Sequence, residues 1–263
     1  MALIDETTRT RLRERLAVSL QGDVELRLYR KPDSGRLILP GGLGCATCSA
    51  AEELVRELAD AAPDRISLTV IDVTADPELK VKVEVPAITV AAPDEGARIT
   101  FQGLPSGYEF ATLLDAIERV SARTGDLAPE LEAKVSELDQ EVEVMVFVTP
   151  TCPYCPGAAS MANRMALASS KVRSLVVEAN EFADLSRRFQ VQGVPRTVVN
   201  RAGASWARCQ RPHSWSRCFS WRELSRHDEA QHLRIQRRPG AGRRSSRCEG
   251  PGPPERRRLW GSH

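Results

Sequence analysis

The sequence lacks any long apolar run, and aromatic residues make up only 5% of its 263 residues. Its uninterrupted apolar stretches fall far short of the ~18 residues that a membrane-spanning helix needs. The start of the chain, residues 1–16, is charged and amphipathic, unlike a cleaved secretion signal. These absences exclude a membrane-spanning helix, and we expect a cytoplasmic protein without a membrane partner.

Two residue types are absent from one end of the chain. Residues 201–263 contain no valine and no lysine, but 15 arginines and five acidic residues. This tail therefore carries a net charge of +10, so within the total of +2 residues 1–200 carry −8. All four tryptophans and all four histidines also lie in the tail. Two parts of different character meet near residue 200.

The tail has two interpretations. A basic segment with Gly, Pro and Ser is typical of a disordered arm that binds nucleic acid. The alternative, which we favour, is a shifted reading frame in a GC-rich gene. With plausible codons, another frame of residues 205–216 encodes Leu-Gly-Ala-Val-Pro-Glu-Ala-Ala-Phe-Val-Glu, a strand end followed by a helix start. Under both interpretations we expect residues 201–263 to be disordered, because four Leu or Ile side chains are too few to offset the ordering of this length.

The most informative motif is a pair of cysteines directly after a β-type segment. The apolar run Val142–Val148 is followed by Cys-Pro-Tyr-Cys at Cys152–Cys155 and then by a helix-forming run, residues 156–168. A thiolate is the nucleophile of disulfide exchange, and the unpaired N–H groups at a helix N-terminus stabilise it. We therefore expect Cys152 to be the exposed nucleophile. Cys155, one turn into the helix, is expected to resolve the mixed disulfide.

A second cysteine pair precedes a helical run in the first half of the chain, at Cys45-Ala46-Thr47-Cys48. We expect Cys45 and Cys48 to form a second or relay dithiol, although a dithiol that no longer takes part in exchange fits the same residues. Two such pairs also occur in four-cysteine zinc sites. Here 104 positions separate Cys48 from Cys152, and each pair begins a predicted helix, so we expect no metal.

A Val-Pro pair begins a β-branched run in each half, at Val85-Pro86 and at Val194-Pro195. Proline is disfavoured inside a central strand because it cannot donate to a neighbouring strand. At a strand start it indicates a turn and a cis peptide bond.

Taken together, these motifs resemble the two-unit protein disulfide oxidoreductases, or glutaredoxin-like proteins, which contain tandem thioredoxin folds. The resemblance covers about residues 3–200 and rests on VFVTPTCPYCP at Val146–Pro156, DQEVEV at Asp139–Val144, GLPSGYEF at Gly103–Phe110 and the two Val-Pro strand starts. Val146 stands where thioredoxins carry a buried acid, which is the glutaredoxin-like condition.

The resemblance also implies where a substrate binds. Both Val-Pro bonds would be cis, with Pro195 facing Cys152 and Pro86 facing Cys45. The residues that seat the substrate would belong to the dithiol loop and to the two Val-Pro pairs: Pro153, Tyr154, Val194, Pro195, Val85 and Pro86.

The order of predicted helices and strands repeats along the chain. We expect an α/β protein made of two tandem thioredoxin-like folds, each a mixed sheet with helices on both faces, at residues 1–122 and 123–200. The second fold is truncated and is followed by the disordered tail, residues 201–263. In the first fold, Val24–Tyr29 is a strand and Arg36–Leu39 is its candidate hairpin partner.

The expected function is thiol–disulfide oxidoreductase activity on protein disulfides, without a bound cofactor. By resemblance, electrons would come from a thioredoxin-reductase-like flavoenzyme. One alternative is an electron-relay module for a peroxiredoxin, similar to the tandem thioredoxin-fold domain attached to peroxiredoxin-reducing flavoproteins. Another is a non-catalytic, basic-tailed nucleic-acid binder, although we do not expect nucleic acid as a partner.

Overall fold

The computed structural model describes residues 5–32 and 45–200. Seven strands lie in these ranges: β1 (Val24–Arg30), β2 (Ile66–Asp72), β3 (Ala87–Ala91), β4 (Ile99–Gln102), β5 (Val142–Val148), β6 (Val172–Glu178) and β7 (Arg196–Val199). Seven helices lie in the same ranges: α1 (Glu6–Ser19), α2 (Cys48–Ala61), α3 (Pro77–Lys82), α4 (Tyr108–Ala122), α5 (Pro129–Ser136), α6 (Cys155–Ala168) and α7 (Ala183–Arg188).

Strand β5 is apolar along its length because both of its faces are covered. Successive side chains of a strand point to opposite faces of the sheet. Val144 and Val146 belong to the large core, whereas Met145 and Phe147 belong to a smaller cluster on the other side. In that cluster the rings of Phe147 and Phe189 are 5.8 Å apart. Helix α6 packs on the first face and α7 on the second, so the predicted arrangement of a mixed sheet with helices on both faces is confirmed.

All seven strands form one mixed sheet in the order β2-β1-β3-β4-β6-β5-β7. The pairs β1–β2, β4–β6 and β5–β6 are parallel, and the other three pairs are antiparallel. The two sequence repeats join where β4 pairs with β6, with Phe101 opposite Val176. Instead of two separate sheets, the repeats therefore share one. The domain limits at residues 1–122 and 123–200 stay a prediction.

Helices α4 and α6, one from each repeat, also pack on each other. The Ser160 hydroxyl donates to the Asp115 carboxylate at 2.6 Å, and the Arg164 Nε donates to the Gly125 carbonyl at 2.7 Å. Buried side chains of both helices belong to a single core cluster. The first repeat is thereby held against the helix that begins at Cys155.

Both cysteine pairs lie at one edge of the sheet. Strands β1, β2, β4, β6 and β5 run in the same direction, so their carboxyl ends meet there. The Cys45 pair comes after β1 and the Cys152 pair after β5. Sites in α/β proteins form at this edge because the loops that follow the strands converge on it.

Most predicted elements are present, with small changes at their ends. Helix α6 begins at Cys155, one residue earlier than expected, and β4 begins at Ile99 instead of residue 97. The predicted strand at residues 36–39, and the disorder and altered reading frame predicted for residues 201–263, lie outside the described residues. Across residues 5–32 and 45–200, no helix has the length and apolar character needed to cross a membrane.

Candidate active site

Cys152 and Cys155 occupy the connection between β5 and α6, and both are free thiols. The Cys152 N–H donates to the Thr149 carbonyl at 3.1 Å, which folds the connection into a turn. Cys155 is fully buried, whereas Cys152 is 9% exposed. Cys152 is thus the cysteine nearer to solvent, although it is less exposed than the sequence suggested.

The cover over Cys152 comes from the loop before β7. Its Sγ lies 3.7 Å from the carbonyl oxygen of Val194, the residue that precedes Pro195. The Val194–Pro195 peptide bond is cis, and so is the Val85–Pro86 bond, which confirms the expectation for both. The fold therefore brings the second Val-Pro pair against the second dithiol. Backbone next to the sulfur is available here to pair with an extended substrate.

The tip of the dithiol loop is open to solvent. Pro153 is exposed, and Tyr154 is 71% exposed. Tyr108, at the start of α4, is also unusually exposed for a large apolar residue, at 52%. These side chains are free to contact a partner protein.

Cys155 is held as a neutral thiol. Burial raises the pKa of the Cys155 thiol far above its ordinary value, and the neighbouring Cys152 sulfur and the Glu109 carboxylate raise it further. A charged thiolate is poorly solvated in such a place. Cys155 therefore needs a proton acceptor close by before it can attack.

Glu109 is the functional residue that our sequence reasoning missed. It lies in the first turn of α4 and is only 2% exposed, and neither carboxylate oxygen has a hydrogen-bond partner within the described ranges. Burial raises the pKa of the Glu109 carboxyl to about 7, opposed in part by the nearby Thr112 hydroxyl. The helical spacing did contain the signal, because Glu109, Leu113, Ala116 and Val120 form one buried stripe.

Glu109 also lines a small cavity at the carboxyl ends of β4, β5 and β6. Its other walls include Gln102, Leu104, Val148 and Glu178. Val146, which replaces the buried acid of thioredoxins, is fully buried in the core. The acid near this dithiol therefore comes from the other repeat instead of from β5.

The start of α4 is docked on the dithiol loop by a backbone contact. The Tyr108 N–H donates to the Pro150 carbonyl at 3.0 Å. Gly107, just before the helix, has φ +58°, and a Cβ there would lie 2.4 Å from the same carbonyl oxygen. Only glycine accepts both the conformation and the close approach.

Replacing Gly107 by alanine is therefore expected to destabilise the protein by about 2 kcal/mol or more, because positive φ and the steric clash both oppose it. It should also lower disulfide reductase activity by displacing Glu109. Denaturant unfolding and an insulin reduction assay measure the two effects. Gly157→Ala is the matched control: a Cβ there meets nothing within 4 Å in α6, so stability should stay equal or rise by about 1 kcal/mol. Equal stability of Gly107→Ala and wild type would contradict this account.

The first cysteine pair forms a disulfide at the start of α2. Cys45 and Cys48 have Cα atoms 5.4 Å apart; Cys48 is buried and Cys45 is partly exposed. Between them, the Thr47 hydroxyl donates to a carboxylate oxygen of Glu181 at 2.5 Å. Pro86 is buried, and its position facing Cys45 stays a prediction.

Neither cysteine pair belongs to a metal site in the described part of the chain, where no three His, Cys, Asp or Glu residues are grouped to hold an ion. Cys45 and Cys48 bond to each other instead.

Comparison with known proteins agrees with this geometry. The family model described as "Thioredoxin domain" matches residues 142–204. A protein disulfide oxidoreductase from Aeropyrum pernix K1 superposes with a TM-score of 0.63 at 27% identity, covering 76% of this chain and 86% of the other. The chain is a thioredoxin-fold oxidoreductase. Its likeness to the alkylhydroperoxide reductase AhpF of Enterococcus faecalis, with a TM-score of 0.63 over 75% of this chain and 90% of that one, is at 22% identity and shows the fold alone.

Sequence relatives of this thioredoxin-fold oxidoreductase include the alkyl hydroperoxide reductase AhpF of Staphylococcus aureus, 27% identical over 149 residues. The AhpF protein of Xanthomonas campestris pv. phaseoli is 25% identical over 115 residues. These matches cover 57% and 44% of this chain but only 27% and 22% of the relatives. The chain thus spans about a quarter of their length.

Proposed function

We propose that the protein catalyses thiol–disulfide exchange with protein disulfides at Cys152 and Cys155. The observation that carries the proposal is the layered arrangement of the pair. The Cys152 sulfur lies under the Val194 carbonyl near the surface, 3.7 Å away, while Cys155 is fully buried behind it. A pair with one accessible and one buried sulfur favours attack by the first and resolution by the second.

In the reductive direction the Cys152 thiolate attacks one sulfur of the substrate disulfide. A mixed disulfide forms, and the other substrate sulfur leaves as a thiolate that takes a proton. Cys155 then loses its proton and attacks the Cys152 sulfur, which releases the second substrate thiol. The two electrons given to the substrate leave the enzyme with a Cys152–Cys155 disulfide.

Glu109 is proposed as the proton acceptor of the second step. Cys155 cannot attack while it is protonated, and burial opposes its ionisation. The Glu109 carboxyl, with its pKa raised to about 7 by burial, takes a proton near neutral pH and returns it later. General bases with such a pKa are effective at that pH.

The substrate chain is proposed to lie against the exposed edge of the site. Pro153 and Tyr154 would contact it from the dithiol loop, and the backbone at Val194 and Pro195 would pair with it. A second or relay dithiol is proposed at the other cysteine pair, where a Val-Pro pair would play the same part. Its residues are Val85, Pro86, Cys45 and Cys48.

The electron donor and the compartment belong to the same proposal. A cytoplasmic location fits because a reducing compartment keeps a catalytic dithiol in its thiol form. The donor would be a thioredoxin-reductase-like flavoenzyme that reduces the Cys152–Cys155 disulfide after each turnover.

Reduction of insulin by dithiothreitol, followed as turbidity, tests the proposal. The protein is expected to accelerate precipitation of the insulin B chain in proportion to its concentration. Bovine serum albumin at equal concentration is the control for general protein effects. A rate equal to that of dithiothreitol alone would overturn the proposal.

A second candidate function is electron relay to a peroxiredoxin, favoured by the relatives that are alkyl hydroperoxide reductase proteins. The chemistry at Cys152 and Cys155 would be the same, with the peroxiredoxin disulfide as substrate. Stopped-flow mixing of the reduced protein with an oxidised peroxiredoxin distinguishes the two. Transfer at least about tenfold faster than to insulin would favour the relay, and equal or slower transfer would favour the general reductase.

A further inference from the structure

We propose that Glu181 is a positioning residue that sets the reactivity of the first dithiol, Cys45 and Cys48. The inference rests on the proposed function only in taking this pair to exchange electrons. Its basis is the hydrogen bond from the Thr47 hydroxyl to Glu181, at 2.5 Å, between residues 134 positions apart. Glu181 follows β6 of the second repeat, so a residue of one repeat reaches between the two cysteines of the other.

The Glu181 side chain is fixed by more than Thr47. Its second carboxylate oxygen accepts the Leu104 N–H at 2.8 Å, and its own N–H donates to Glu178 at 2.5 Å. The turn beside it is close-packed: Gly103 has φ +100°, and a Cβ there would lie 2.7 Å from the Glu178 Cβ. The carboxylate therefore has a defined position in front of the first dithiol.

This position is in front of the N-terminus of α2. Thr47 is the N-cap residue of that helix, but its side chain makes no capping hydrogen bond, because its hydroxyl is directed to Glu181. The partial positive charge of a helix N-terminus normally stabilises the thiolate of the preceding cysteine. With a carboxylate at the same place, a Cys45 thiolate meets a like charge that disfavours it.

The two dithiols are thus treated differently by acids from the opposite repeats. Glu109 of the first repeat acts on the buried cysteine of the second pair, where it raises the pKa of Cys155. Glu181 of the second repeat faces the residue between Cys45 and Cys48. We infer that Glu181 favours the disulfide form of the first pair. Its reduction to two thiols takes two electrons and two protons from an added dithiol or from glutathione.

The test is a redox titration of the full-length protein in glutathione buffers at pH 8. Free thiols are trapped with N-ethylmaleimide, and mass spectrometry is confined to the tryptic peptide that contains Cys45 and Cys48. Glu181→Gln keeps the shape and one acceptor oxygen but removes the charge. It is expected to shift the equilibrium about 2- to 5-fold toward the dithiol. In 1 M salt the shift should fall to less than half, because the screening length is then about 3 Å.

Three variants make the result decisive. Glu181→Asp keeps the charge and should stay within about twofold of wild type, which covers the case in which Gln disturbs the turn. Thr47→Val keeps the carboxylate and should shift the equilibrium less than Glu181→Gln. Asp184→Asn removes a charge from an exposed residue, 93% accessible, three positions away, and should change nothing.

Several outcomes would overturn the inference. They are an unchanged equilibrium in Glu181→Gln, equal salt-independent shifts in Glu181→Gln and Thr47→Val, or the same shift in Asp184→Asn. The titration needs no turnover, so a failed insulin assay with a shifted titration would count against the proposed function and not against the role of Glu181.

Discussion

Replacing Cys152 by serine is expected to lower insulin-disulfide reduction by on the order of 1,000-fold or more, to the background rate. The hydroxyl of serine is a far weaker nucleophile than a thiolate, and Cys155 is fully buried and cannot reach the substrate. Cys155→Ser should instead form the mixed disulfide and fail to release it. Nonreducing electrophoresis with insulin then shows a stable covalent adduct in Cys155→Ser and none in Cys152→Ser.

Cys45→Ser is the matched control for these variants. It removes a cysteine of the other pair at the same edge of the sheet, and it should retain most of the insulin reduction. The roles of the pairs would be reversed if Cys152→Ser kept most of the activity while Cys45→Ser lost it. Our assignment of the primary site would then be wrong.

Replacing Glu109 by glutamine is expected to slow resolution by Cys155 about 100-fold, within the usual contribution of a general base. The ionised carboxylate is the proton acceptor, so the wild-type rate of this step should rise with pH through about 7, the raised pKa of Glu109. The variant should lack this rise. Rapid-quench measurement of mixed-disulfide decay from pH 6 to 8.5 detects both effects.

The same substitution should change the dependence of stability on pH. The Glu109 pKa is about 7 in the folded protein against an ordinary value of 4.5, so below pH 4.5 the group is protonated in both states and carries no penalty. As pH rises through 7 the folded protein must ionise a buried acid, and about 3 kcal/mol of unfolding free energy is lost. The stability of Glu109→Gln relative to wild type should therefore increase by that amount between pH 4.5 and 8.

Urea unfolding at several pH values measures this difference. Glu130→Gln, which changes an exposed acid in the first turn of α5, should give a difference that varies with pH by less than about 1 kcal/mol. Parallel stability curves for wild type and Glu109→Gln would show that Glu109 titrates normally. The proton-acceptor role would then lose its basis.

Sequence patterns were sufficient for the elements that carry the cysteines. The run Val142–Val148 and the Cys-Pro-Tyr-Cys motif predict a buried strand followed by a helix, and the structure has both. These predictions succeed because strand alternation, β-branched side chains and helix starts depend on neighbouring residues. The cis Val-Pro bonds were also expected from their place at strand starts, and the structure has both.

Three features were decided by the tertiary structure alone. Pairing of β4 with β6 makes a single sheet, although neither strand contains a signal that names its partner. The low exposure of Cys152, at 9%, depends on a loop more than 40 positions away. The third is the burial of Glu109, which depends on the packing of α4. Register and cover of this kind follow from packing between distant segments, which local sequence does not encode.

The exchange of acids between the repeats is the clearest difference between the two levels. By itself, the sequence determined the two dithiols, their order after the strands and the thioredoxin type of each repeat, because those features are local. It did not place Glu109 near Cys155 or Glu181 beside Thr47. Both contacts exist only because the shared sheet and the packing of α4 on α6 bring the repeats together, and burial then changes the chemistry of the groups they enclose.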